Sequence, residues 1–201
     1  MYYAPAFGNM PLLLLASTSP YRKQLLERLR IPFECQAPPI DEEQWKSQKL
    51  SPVDLATKLA IAKAESLAEQ FPEHAIIGSD QVCCCDGILF SKPGTVSTAV
   101  DQLSRLAGKE HQLITSLAVW QRGITQTHVD VTRLTMRSLT QEEIERYVQS
   151  DHPLDCAGSY RLEELGISLF DSIESADHSA IIGLPLLALC RLLRECGFVL
   201  P

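Results

Sequence analysis

At 201 residues the chain is long enough for one substantial core, and a 45% hydrophobic share with a mean hydropathy of −0.00 reads as a soluble, globular protein. A net charge of −7 excludes a general binder of polymeric nucleic acid, which needs a basic face or stripe; a small anion held by a local knot of lysine and arginine stays open. The longest apolar run is far shorter than a membrane span, and Met1 to Asn9 lacks the basic flank and apolar segment of a signal peptide, so no membrane partner and a cytoplasmic location are expected.

The elements alternate along the chain. Leu12 to Ala16 predicts a strand, and Ser17-Thr18-Ser19-Pro20 then opens a helix from Ser19 to Leu29, with Ser19 as cap and Pro20 at the first position. A short strand around Phe33 to Cys35 precedes the break at Pro38-Pro39. Ser51-Pro52-Val53-Asp54 resembles a capping box and starts a long helix to about Gln70. Ala75 to Cys85 reads as a buried strand, Asp86-Gly87 as a hairpin turn into Ile88 to Phe90, and Thr95 to Leu106 as a helix closed by Gly108. Two β-rich stretches between Glu110 and Arg137 flank the Arg122-Gly123 turn, Thr140-Gln141-Glu142-Glu143 starts another helix, and a last helix runs from Leu184 to Glu195. No repeat or linker divides the chain, so a single domain over residues 1–201 is expected. Its fold class is α/β, a mixed sheet with flanking helices and a central cleft between two lobes.

Seven cysteines, three of them consecutive at Cys83, Cys84 and Cys85, lack disulfide or paired C-x-x-C spacing and read as reduced thiols, mostly core filler. Five scattered histidines show no metal-ligand spacing.

Three charged residues stand on faces that should be apolar. A strand ending at a helix N-terminus suits an anion, because free backbone N–H groups point beyond the strand there. Arg22, in the first turn, is opposed by the helix dipole and projects between Leu25, Leu26 and Leu29. Either an anion offsets it, or its stem snorkels past its neighbours. Lys63 falls in the stripe formed by Leu55, Ala56, Leu59, Ala62 and Leu67, in mid-helix where snorkelling is difficult. Asp80 interrupts a strand otherwise apolar enough to be central; it is a paired core carboxylate or a functional one, and Gly78 and Ser79 before it suit a close approach of ligand or backbone. Lys92 in a loop and Asp41-Glu42-Glu43 in an acidic turn are ordinary surface features when taken alone. Grouped, Asp80 and Glu42 as metal or water ligands with Arg22, Lys63 and Lys92 around a polyphosphate make a coherent phosphate-chemistry site. Neither the G-x-x-x-x-G-K-[ST] loop nor the G-x-G-x-x-G fingerprint is present.

Those positions carry a resemblance. Ala16-Ser17-Thr18-Ser19-Pro20-Tyr21-Arg22, Asp41-Glu42, Leu59-Ala60 to Lys63-Ala64, Gly78-Ser79-Asp80-Gln81 and Lys92-Pro93 resemble successive motifs of the Maf family of nucleotide pyrophosphatases. Pro153-Leu154 through Ala157-Gly158-Ser159-Tyr160, and Gly183-Leu184-Pro185-Leu186, resemble its later motifs. The resemblance implies an elongated α/β fold related to the inosine triphosphate pyrophosphatase architecture, commonly a homodimer. It implies a divalent cation (Mg, Mn or Co) and cleavage of a nucleoside triphosphate between its α and β phosphates. Asp80 would be the proton acceptor and Glu42, with Asp80, a metal or water ligand; Ser17, Ser19, Arg22, Lys63 and Lys92 would be phosphate and cleft groups. Tyr21 and Gln81 resemble the branch acting on 7-methyl-GTP, with Glu163 expected to read the base, rather than the dTTP/UTP branch. Two positions depart from the family pattern: Ala62 replaces an acidic residue, and Glu164 a glycine.

The resemblance also admits a non-catalytic regulator of cell division acting through septum inhibition. Misplaced charges in a cleft argue for chemistry, since a scaffold has no need of them.

Overall fold

The computed structural model describes residues 11–46 and 48–201. The reading of Met1 to Asn9 falls outside them.

Strand β1 (Leu12–Ala16) lies between β2 (Glu34–Gln36) and β3 (His74–Cys85), parallel to both. A strand with helices on both faces is buried on both, so it reads as an unbroken apolar run, as Leu12 to Ala16 does. Helix α1 (Pro20–Glu27) follows β1, capped by Ser19, whose Oγ accepts from the Arg22 backbone N–H at 3.4 Å. Next come a one-turn helix α2 (Glu43–Lys46) and the long α3 (Pro52–Glu65). Strand β4 (Ile88–Phe90) pairs back on the far end of β3. Asp86 and Gly87 both take positive φ between them (50° and 76°), the conformation a two-residue hairpin demands. Helix α4 (Val96–Leu106) leads to the long antiparallel pair β5 (Glu110–Gln121) and β6 (Ile124–Met136). Then come α5 (Gln141–Asp151), a 3-10 turn (Leu165–Leu169), β7 (Phe170–Glu174), α6 (His178–Ile182) and α7 (Leu186–Glu195). The sheet order is β2-β1-β3-β5-β6-β7 with β4 on β3: parallel at one end, antiparallel at the other. The expected mixed α/β architecture is what forms.

Several boundaries move for identifiable reasons. Helix α3 stops at Glu65, the next five residues being turns, and α1 stops two residues short of Leu29. At Ser51 only half a capping box is made: Ser51 Oγ accepts from the Asp54 N–H, but Asp54 Oδ2 takes the Ser51 hydroxyl rather than its backbone N–H. The reciprocal box forms at Thr140 and Glu143 instead. Pro185 lies just outside α7, as its cap residue. Only Cys83 and Cys85 of the seven thiols are fully buried, so core filling accounts for two of them; all seven are unpaired.

The core has three parts. On one face, Leu13, Leu15, Ile77 and Leu117 pack against α1 and α7 through Leu26, Leu189 and Leu193. On the other, Leu14, Ile76 and Ala118 meet Ala60, Ala64 and Leu67 near α3. The far halves of β3, β5 and β6 build a separate cluster with α4 and α5, in which Cys83, Leu113 and Leu134 meet Leu103 and Tyr147. Strand β3 runs from the first two clusters into the third, and Asp80 lies between Ile77 and Cys83, where the packing changes hands. A cleft opens there between the lobes.

Close approach of α3 to β3 depends on one glycine. A Cβ on Gly78 would stand 2.1 Å from the Ala60 carbonyl oxygen and 2.7 Å from the Ala64 nitrogen, so helix and strand meet backbone to backbone. The close approach expected at Gly78 is thus made by α3.

Candidate active site

The cleft, about 320 Å³, is lined on one side by the β1–α1 turn from Ala16 to Arg22 and on the other by the loop from Asp155 to Glu163. A neighbouring chamber of about 450 Å³ adds Leu55, Leu59 and Phe90, and shares Arg22, Glu42, Lys63, Gln81 and Lys92 with the first. Of the charged residues singled out by sequence, Arg22, Glu42, Lys63 and Lys92 form the wall between the two chambers, and Asp80 lines the second.

At the centre is an ammonium between two carboxylates. Lys63 Nζ lies 2.7 Å from Asp80 Oδ1 and 2.8 Å from Glu42 Oε1. Lys63 and Asp80 are 6% and 7% exposed, so their charges survive in the interior only because each answers the other. Glu42 reaches in from the acidic turn and stays partly exposed. Burial pushes the Asp80 carboxyl above the usual carboxylate range, while Lys63 and Arg22 pull it back.

Arg22 does not snorkel into solvent. Its Nε donates to the Gly183 carbonyl at 2.9 Å, and burial lowers its pKa against the opposing pull of Asp80 and Glu42. Ser17 is buried and its Oγ accepts from the Ser19 N–H at 3.1 Å, which shapes the turn at the α1 N-terminus. That N-terminus faces the cleft, where partial positive charge favours an anion. Lys92 sits exposed on the loop after β4, at the junction of the chambers. Its loop is pinned from beneath: Gln102 donates to the Ser91 carbonyl at 3.0 Å and accepts from the Ser159 hydroxyl at 2.6 Å.

Gln81 is placed in the cleft with much of its hydrogen-bonding capacity already used. Its Nε2 donates to Thr115 Oγ1 at 2.8 Å and to the Ala180 and Ile181 carbonyls at 3.0 Å, so its Oε1 is the atom left for a ligand. Glu163 lies on the cleft wall, in an exposed position. Tyr21 donates its hydroxyl to Asp155 Oδ2 at 3.2 Å. Sequence reading gave no role to Asp155, Arg161, Gln102 or Ser159: Asp155, Arg161 and Ser159 lie in a loop with no periodic face, whereas Gln102 interrupts the buried face of α4 beside Ala99, Leu103 and Leu106, a signal that could have found it.

The carboxylates suit a hard cation. Magnesium-type ions take one or two carboxylates and complete their shell with water and substrate phosphates. Asp80 and Glu42 already converge within 3 Å of one point, the Lys63 ammonium. The described residues contain no cluster of three histidine, cysteine, aspartate or glutamate side chains able to hold a metal alone, so phosphate oxygens would have to supply the rest.

An α/β protein with a mixed sheet and a charged cleft between its lobes is the class that fold and site define. The chain belongs to the Maf family: residues 12–196 match the family described as Maf-like protein. It is 45% identical over 193 residues, 95% of this chain and 96% of the relative, to the 7-methyl-GTP pyrophosphatase of Hahella chejuensis (strain KCTC 2396). A solved HAM1 protein from Coxiella burnetii aligns with 94% of this chain and 99% of its own at 14% identity, with a TM-score of 0.44. No helix among the described residues is long and apolar enough to cross a membrane.

Proposed function

We propose that the chain is a nucleoside triphosphate pyrophosphatase that hydrolyses 7-methyl-GTP to 7-methyl-GMP and pyrophosphate. The observation that carries the chemistry is the buried Asp80–Lys63–Glu42 bridge where the two chambers meet: Lys63, Glu42 and Arg22 line both, Asp80 lines the second, and the α1 N-terminus faces the first. The Hahella relative's name supports the substrate.

Asp80 takes the proton of the attacking water. Lys63 holds its Oδ1, so Oδ2 is the oxygen to accept that proton, and a carboxyl raised by burial is a better base near neutrality than an exposed one. Lys63, Lys92 and Arg22 bind and orient the phosphates, and positive charge near the β-phosphate favours departure of pyrophosphate. A divalent cation (Mg, Mn or Co) held by Glu42 and Asp80 would supply further neutralisation of phosphate charge. Tyr21, Gln81 and Glu163 face the base. A guanine methylated at its seventh position is cationic and gains from an aromatic face and a carboxylate, whereas thymine and uracil offer no such charge. Seven unpaired thiols suit a reducing compartment, which supports a cytoplasmic location.

Pyrophosphate release from 7-methyl-GTP, GTP, UTP and dTTP, with and without divalent metal, tests the reading. The expected result is metal-dependent turnover with 7-methyl-GTP preferred. Preference for UTP or dTTP would replace the substrate, and no turnover of any nucleotide would favour the regulator of cell division. Asp80→Asn should lose about 10²–10⁴-fold in kcat with the fold intact; full turnover in that variant would make Asp80 structural.

A further inference from the structure

Tyr21 and Asp155 line the cleft, and a cation from beside it already rests on the Tyr21 ring. Tyr21, in the first turn of α1, is joined to Asp155 on the facing loop. From the same loop Arg161 sets its guanidinium carbon 5.8 Å from the Tyr21 ring centroid and its Nη2 3.5 Å from Asp155 Oδ1. Both distances are long for such contacts. Nη2 also reaches the His152 carbonyl at 3.3 Å, while the buried Arg161 Nε has no hydrogen-bond partner. A guanidinium offers five donors in a rigid fork, and this one is only partly satisfied. It is a loosely held cation on an aromatic and carboxylate pair.

We propose that Arg161 is a resident stand-in for the cationic base, occupying Tyr21 and Asp155 in the free enzyme and yielding them to 7-methylguanine. The proposal rests on the 7-methyl-GTP reading. Exchange of one cation for another leaves Asp155 with a counter-charge throughout. A neutral guanine that displaced Arg161 would leave the carboxylate uncompensated beside an uncharged ring, so Asp155 discriminates against it. Asp155 is then a specificity-determining residue and Arg161 a positioning residue. Arg161 sets how much either base must break to enter, while Asp155 sets the difference between them.

The two roles separate in kinetics. Arg161→Gln removes the ion pair that any base must break, so KM falls for both 7-methyl-GTP and GTP, by about two- to five-fold for a partly exposed pair. The change should fall on KM more than on kcat, and Arg161→Lys should restore the wild-type KM. Asp155→Asn keeps an acceptor for the Tyr21 hydroxyl but removes the charge, so the preference in kcat/KM for 7-methyl-GTP over GTP should drop about ten-fold. Thermal melting of each variant shows whether it is folded, and Tyr21→Phe, which keeps the ring and cuts its link to Asp155, gives a second route to a smaller preference. A raised KM for both nucleotides in Arg161→Gln would make Arg161 a substrate ligand and overturn the exchange. An intact preference in Asp155→Asn would overturn the role of Asp155. A wild-type enzyme with no preference for 7-methyl-GTP would instead bring down the substrate reading on which the proposal stands.

Discussion

Lys63 shows what a single misplaced charge costs and supplies. Its ammonium is the counter-charge that keeps Asp80 ionisable inside the protein, so removing it strands a buried carboxylate. Lys63→Met should therefore destabilise the fold by about 3–5 kcal/mol, and adding Asp80→Asn should recover much of that loss because the stranded carboxylate is then gone. Urea unfolding of the two single variants and the double variant measures the coupling; additive losses would mean that the pair is not the reason both residues are tolerated. The same logic explains which site residues were legible in the sequence. Arg22, Lys63 and Asp80 break an apolar pattern on a helix or strand, and a broken pattern can be read without a structure. Asp155 and Arg161 lie in a loop, where charge is ordinary, and only their meeting with Tyr21 across the cleft gives them meaning.

Elements bring these charges together, and the contact between α3 and β3 sets the spacing. Lys63 reaches Asp80 because Gly78 lets α3 settle onto β3, with the Ala60 oxygen and Ala64 nitrogen where a side chain would stand. Gly78→Ala drives a methyl group into backbone, which cannot rotate aside, so the expected destabilisation is at least about 3 kcal/mol, the upper end for overpacking. Activity of the folded fraction should fall as well, since a displaced α3 carries Lys63 away from Asp80. Calorimetry and kcat on the same sample check both, and a stable, fully active variant would show that α3 adjusts freely. Elements with strong local signals, such as the β3–β4 hairpin and the Thr140 cap, could be read in the sequence. Strand β7 could not: Phe170 to Glu174 holds two acids and a serine, and it is a strand because β6 pairs with it across an irregularity at Thr135 and Met136. Helix α6 is equally non-local. Asp177 caps it through Ser179 and also accepts the Leu187 N–H, a double role that fixes the turn between α6 and α7.

At the scale of the molecule, one sheet passes through both lobes, so the cleft is a change of packing partner along continuous strands and its walls move only if the lobes repack. The second lobe contains a titratable group that makes its integrity depend on pH. His111 is 2% exposed, with Nε2 joined to the Tyr160 hydroxyl at 2.9 Å and Nδ1 unpartnered, and burial pushes its pKa down to about 4. An unfolded chain binds a proton at this histidine below about pH 6.5, whereas the folded protein refuses it until about pH 4, so the unfolded state carries more protons within that window. The contribution is fully present above pH 6.5, declines as pH falls through the window and levels off below about 4, for a total of about 3 kcal/mol. Because Tyr160 also lines the cleft, loosening there should reach the base side of the site before the fold is lost. His111→Gln keeps a polar partner for Tyr160 and removes the titration. Its urea midpoint, compared with wild type from pH 7.5 to 4, should show the wild-type advantage shrinking as the solution becomes more acid. Parallel profiles for the two proteins would show that His111 takes up its proton equally in both states and that the acid sensitivity of the lobe lies elsewhere.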